Sequence, residues 1–341
     1  MKQTPHTSFD GTASLLSFLR LVLCFLLVVV SACSDTVDTQ EEDIPLLLSA
    51  SGEVFGQLQT GGQTRAGNLP EQAFTATVYR STEREAYADL TGEWEGSREA
   101  TVSTAGAMTW SGAAPSPSYP RYGDWIYVVA VSPSPSSVFG GTASYMLTGT
   151  EDLLYAPEIR GNRWDGYRFS GNPANLGVGD QALAFSHLLT RLRFKAKKKI
   201  ADGVAVKVRR VTVNSVKNAV SLPLAAGSEG KAQPVFSGNA DLTWNAAGDG
   251  VETITTATVN LGTLLLPPLE SGTYTLTVET SVGTYTNIPI TFGTPSGDSV
   301  FGAGMSHDVT LEVADNELGI GSVTVSDWVL VPVDGDLDIG N

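Results

Sequence analysis

The chain has 341 residues, of which 36 are acidic and 21 basic, giving a formal net charge of −15. Acid at that level speaks against nucleic acid as a partner, since a phosphate backbone is held by lysine and arginine, and it suits a soluble surface that must not clump. The two cysteines, Cys24 and Cys33, lie close to the start, so no disulfide framework and no thiol-based metal or redox site is expected further along.

In chain order, the first feature is a secretory signal. Arg20 sits directly before the apolar run LVLCFLLVVV, residues 21–30, the right length for a signal-peptide core and too short for a comfortable membrane span. The run ends in Val30-Ser31-Ala32-Cys33, which resembles the lipobox of bacterial lipoproteins. That resemblance implies cleavage before Cys33 and acylation of its thiol, so residues 1–32 form a lipoprotein signal peptide. Several acyl chains on one residue anchor firmly where one chain binds reversibly. The other reading is a plain signal peptide with an incidental cysteine. Loss of residues 1–32 leaves 19 basic and 35 acidic residues and a charge of −16. Residues 33–43, with five acids in SDTVDTQEED, read as a solvated tether.

Beyond the tether, 36 glycines, 17 prolines and abundant Thr, Ser and Val predict strands and turns. Period-two alternation marks Phe74–Tyr79, Leu192–Ala196, Val204–Val208, Val211–Val213, Tyr274–Val278 and Val309–Val313. Many short strands with such turns predict an all-β protein of two β-sandwiches. Residues 112–120 and 132–137 read as Pro/Ser-rich loops, and 170–180 as the boundary between domains at 44–175 and 176–341.

Candidate chemistry is sparse. His187 and His307 have no metal-ligand spacing, and Asp334, Asp336 and Asp338 lack the glycine and glutamate of a calcium loop. No nucleophile elbow, phosphate loop or dinucleotide fingerprint is present. The chain is expected to be no enzyme and to need no cofactor or metal. Trp94, Trp110, Trp125, Trp164, Trp244 and Trp328 either plug cores or stack on sugars. Arg191, Arg193, Lys195 and Lys197 alternate with apolar residues. They form either a solvated strand face or a docking patch for an acidic neighbour.

Several stretches, in order, resemble the fimbrillin family: Asp152-Leu-Leu-Tyr-Ala156, Leu183-Ala-Phe-Ser-His-Leu-Leu-Thr-Arg-Leu-Arg-Phe194, Leu265-Leu-Pro-Pro268 and Val323-Thr-Val-Ser-Asp-Trp328. Val128–Pro133 fits as an apolar strand ending in proline. The resemblance implies a lipoprotein pilin of the outer membrane of Bacteroidia-type bacteria, with two transthyretin-like β-sandwiches, working at the cell surface or in the fimbrium. It implies an arginine-specific protease that removes the N-terminal segment and its first strand, and a neighbouring subunit whose strand fills the groove. The implied partners are other pilin subunits, its own kind or accessory, and a host or bacterial surface ligand for adhesion.

Carried onto this chain, Ile44–Leu48 is the short apolar strand, residues 44–65 the removable segment, and Arg65–Ala66, in the loop GGQTRAGN, the bond to be cut. Val329, Val331, Val333, Leu337 and Ile339 share a parity, so 329–339 is either a donor strand or the end of its own domain. Val323–Val325 reads as a strand of its own domain. The acidic tail DGDLDIGN makes a modest donor and leaves room for a tip, anchor or accessory role. The rival reading is a monomeric, surface-anchored lipoprotein that binds a glycan or a protein.

Overall fold

A computed structural model describes residues 43–52, 73–88, 97–112, 115–164, 166–171, 182–202, 204–227, 230–253, 255–290, 301–314 and 318–327. The chain is all-β. Its first strands are β1 (Ala50–Gly52), β2 (Phe74–Ser81), β3 (Ser97–Val102), β4 (Met108–Trp110), β5 (Ile126–Ser132), β6 (Ser137–Phe139), β7 (Thr142–Met146) and β8 (Leu154–Gly161). Next come β9 (Leu183–His187), β10 (Thr190–Lys198), β11 (Val206–Val216), β12 (Ala219–Pro223), β13 (Val235–Ser237) and β14 (Ala240–Asn245). The last are β15 (Val251–Thr253), β16 (Val259–Leu266), β17 (Thr275–Thr280), β18 (Thr284–Pro289), β19 (Met305–Val313) and β20 (Leu318–Asp327).

These strands make four sheets. The first has seven strands in the order β1-β9-β8-β5-β2-β3-β4, and a four-stranded sheet, β13-β12-β7-β6, covers one of its faces. The second sandwich packs β16-β10-β19-β20 against β14-β11-β17-β18, with β15 beside β11. Strand parity explains the layers. In β5, Ile126, Val128 and Ala130 enter one core while Val129 and Val131 enter another. A sheet buried on both faces needs such a continuous apolar run. In β10 the alternation is strict: Leu192, Phe194 and Ala196 are buried and the arginines and lysines between them are half-buried.

One expectation changes in detail. The runs 204–208 and 211–213 merge into one strand, β11, which begins only at Val206 and whose register against β17 shifts between Val208 and Arg210. The extra residue moves the buried set from Val206 and Val208 to Val211 and Val213, which is how one strand shows two phases. The stretch Leu183–Phe194 is two strands in two different sheets, turned at Leu188 and Leu189. Pairing also crosses residue 175 in both directions. β1 pairs in parallel with β9, and β7 pairs with β12, Ala143 opposite Leu222 and Met146 opposite Ala219. The expected boundary itself, 170–180, lies almost wholly outside the described residues.

Val323 and Val325 belong to β20, paired with Val309 and His307 of β19, as a strand of their own domain.

Candidate functional site

The segment Ile44–Gly52 closes the first sheet on itself. On one side β1 runs parallel to β9, with Ala50 opposite Leu183 and Gly52 opposite Phe185. On the other, Ala50 N donates to Gly106 O at 2.7 Å and Ser49 bridges Ala107, just before β4. Without this segment, β9 and β4 would be the open edges of a curled sheet. Ile44–Leu48 is less regular than a full strand. Pro45 sits opposite Ser118 in an isolated bridge whose hydrogen bonds are made by its neighbours, Leu46 N to Pro117 O (2.7 Å) and Tyr119 N to Ile44 O (3.0 Å), so its own missing N–H costs this pairing nothing. The Pro/Ser-rich loop expected at 112–120 is thus a backbone partner of the segment.

The side chains follow. Leu46 and Leu48 are fully buried in the core made by Val78, Val128, Leu154, Leu183 and Phe185. The Trp110 indole N–H donates to Leu46 O at 2.8 Å. Two glycines permit the close approach. Gly52 has φ +109°, and a Cβ there would stand 2.4 Å from Phe185 O; a Cβ at Gly171 would stand 2.6 Å from the Leu48 backbone. Tyr119 stacks on Phe169 with centroids 5.8 Å apart and accepts the Phe169 N–H at 2.8 Å. Burial pushes the Tyr119 phenol upward from its ordinary value.

The basic row of β10 does not stand alone. Parallel β19 sets Asp308 beside it, bonded by Arg193 Nε at 2.5 Å and Lys195 Nζ at 2.7 Å, while Lys197 pairs with Glu312 at 3.0 Å. Burial works to raise the Asp308 carboxyl, but Lys195 and Arg193 outweigh it and hold the group below its ordinary value. Lys198, on the opposite face, is buried and paired with Asp202 at 2.6 Å. His187 and His307 are both buried. His187 meets Asp152, and His307 packs against Phe301 with ring centroids 5.0 Å apart. Among the described residues, no group of three His, Cys, Asp or Glu side chains is disposed to hold a metal ion. Trp110 and Trp244 pack against cores, and Trp164 is exposed.

The residues expected to carry lipid, cleavage and strand donation, namely Cys33, Arg65, Ala66, Val329, Val331, Val333, Leu337 and Ile339, lie outside the described residues, as do Trp94 and Trp328. The described geometry therefore bears on the segment Ile44–Gly52 and on the sheet edges that it covers.

The fimbrillin-like family matches residues 64–328 of this sequence. A search of the curated proteins gave no match. Among solved structures, the fold is similar to that of a candidate cell adhesion protein of Bacteroides ovatus, with a TM-score of 0.54 and 14% identity over 85% of this chain and 99% of that one. It is similar also to one of Bacteroides uniformis, with a TM-score of 0.51 and 14% identity over 84% of this chain and 99% of that one. The family match spans well over half the chain and brings the Asp152 and His187 stretches under one description. The chain belongs to the fimbrillin-like family.

Proposed function

We propose that the protein is a surface adhesion subunit of a fimbrium, matured by proteolysis and assembled by strand exchange, with a structural rather than a catalytic role. The observation that carries this reading is the position of Ile44–Gly52: a terminal segment fills the gap between β9 and β4 and contributes two leucines to the core. Cutting at Arg65–Ala66 frees it to leave. Its departure strands backbone groups on both edges and empties an apolar groove, both costly in water. An incoming strand restores the ladder and fills the pockets with alternate side chains. Residues 329–339 of a neighbour are the proposed donor. Before cleavage the groove stays closed, and Cys33 holds the precursor on the outer membrane by its lipid.

Treatment of the full chain with an arginine-specific protease tests the reading. The expected outcome is a new N-terminus at Ala66 and a ladder of multimers that survives mild denaturant. A cleaved product that stays monomeric with residues 44–52 still bound, or a surface form that starts only at acylated Cys33, overturns the stalk-subunit role.

A further inference from the structure

At one end of the first sandwich two loops, 119–125 and 162–169, bring aromatic rings and arginines together. Tyr122 is 89% exposed, Trp164 54% and Tyr167 45%. Trp125 meets Tyr167 edge to face with centroids 5.5 Å apart, and the Arg160 guanidinium lies 4.8 Å from the Trp125 ring centre. Arg163 lies 5.6 Å from the ring centre of Trp164 and donates to Arg121 O.

The loop that carries Trp164 and Tyr167 is tied down, while their rings stand outside the cores. Trp164 N donates to Asn162 Oδ1 at 2.9 Å, Tyr167 N to Trp164 O at 3.0 Å and Asn162 N to Tyr167 O at 3.1 Å. Arg168 Nε donates to Arg163 O at 2.8 Å. Trp164 also lies directly against Gly123, where φ is +76° and a Cβ would fall 2.3 Å from the indole nitrogen. A preorganised ring loses little freedom when something binds it.

The charge is local and opposite to that of the chain. Residues 119–125 and 160–169 contain Arg121, Arg160, Arg163 and Arg168 against Asp124 and Asp165, in a protein of net charge −15. None of the exposed large apolar side chains in these loops is aliphatic. A protein hot spot also draws on Trp, Tyr and Arg, but within a ring of further contacts that exclude water, and Tyr122, Trp164 and Tyr167 stand exposed. Bare rings with guanidinium neighbours instead suit a ligand that is polar at its rim and offers C–H groups to a π-face.

We propose that these loops bind an acidic saccharide, with a sugar ring stacked on Trp164 beside Tyr122 and its carboxylate or sulfate paired with guanidinium groups, Arg160 foremost. Arginine is the side chain suited to planar, two-pronged recognition of such anions. The inference rests on the adhesion reading only for where the saccharide is met.

The test is calorimetric titration of the full chain with 3′-sialyllactose and a heparin-derived tetrasaccharide, with lactose as neutral control and a ten-residue glutamate peptide as a competing acid. At least one acidic sugar should bind, lactose about tenfold or more weaker, and Trp164→Ala and Arg160→Gln should each cost about tenfold, or roughly 1.4 kcal/mol. Unchanged circular dichroism would show both variants folded, as their exposure predicts. The proposal is overturned by absence of binding to either acidic sugar at about 10 mM, by affinity the two variants leave unchanged, by equal affinity for lactose, or by tighter binding of the peptide. Multimer formation after cleavage at Arg65 is read with no saccharide present, so failure of assembly and failure of sugar binding are separate results.

Discussion

Asp152 and His187 are partners: the carboxylate Oδ1 lies 2.9 Å from the imidazole Nδ1, where β8 begins and β9 ends. The two residues come from two stretches that carry the family resemblance, and the backbone joins them again through Leu188 N to Leu153 O at 2.9 Å. The His187 side chain is completely buried. Asp152→Ala should lower stability by about 1–3 kcal/mol, the cost of leaving a buried polar ring without its carboxylate. Urea unfolding of both single variants and the double variant measures it. A coupling near zero would show that the pair is a neighbour contact only.

Leu46 and Leu48 should be the energetic grip of the terminal segment, with Leu47, half-buried, as control. Leu46→Ala and Leu48→Ala should each cost about 2–5 kcal/mol, and Leu47→Ala far less. Both core variants should also speed exchange of amide hydrogens in β9, whose edge the segment covers. Equal losses at all three positions would contradict the burial pattern.

The stability of the second sandwich should fall on acidification because of His307. Burial depresses its pKa from 6.5 to about 4. The unfolded chain therefore takes up the proton first, and stability drops as pH falls below about 6.5, levelling off below about 4 where the folded form also protonates. The full swing is roughly 3 kcal/mol at 1.36 kcal/mol per pKa unit. Asp308, held below its ordinary value, adds a further loss at lower pH, where it must be protonated. Thermal unfolding at pH 7 and pH 4.5 should show the drop in the native protein and a smaller one in His307→Gln. Equal slopes would place the acid sensitivity elsewhere.

Removing the shared counter-ion of the basic row should do little. Asp308→Asn separates Arg193 and Lys195 from their carboxylate, but both bases are partly exposed, so about 1 kcal/mol or less is expected, shrinking at high salt. A loss of several kcal/mol, unaffected by salt, would mean that the β10–β19 pairing depends on this charge.

What the sequence made legible followed period. The alternation of β10 told its buried and outward faces correctly, and Val323–Val325 was readable as a strand of its own domain. What stayed hidden needed partners far along the chain. Nothing in ASYM, within β7, names Val220 or Leu222 as its neighbours, because a strand pattern specifies a face and not a partner. Leu183–His187 and Thr190–Lys198 share one family-like stretch but lie in two sheets, and the turn between them, Leu188-Leu189, has neither glycine nor proline to mark it. The aromatic loops were present as RGNRWDGYR, residues 160–168, but a tryptophan weighed by type alone gives no hint that its ring rests on Gly123 from another loop.

If the chain is threaded across a membrane from its N-terminus, as the proposed surface role requires, the pairing of β7 with β12 sets an order of events. The outward face of β2, β5 and β8, bearing Tyr79, Val129, Val131 and Tyr155, is covered by Ala143 and Tyr145 together with Val220, Leu222 and Leu224. Until residue 224 has emerged, that face has only the cover that Ala143 and Tyr145 of β7 give it. The first sandwich is thus finished late, after β10 and β11 of the second have already appeared. On that route an export carrier that released the chain at residue 175 would set free an unfinished, sticky sheet, so holding would have to continue for about 50 residues more, roughly 165 Å of extended chain.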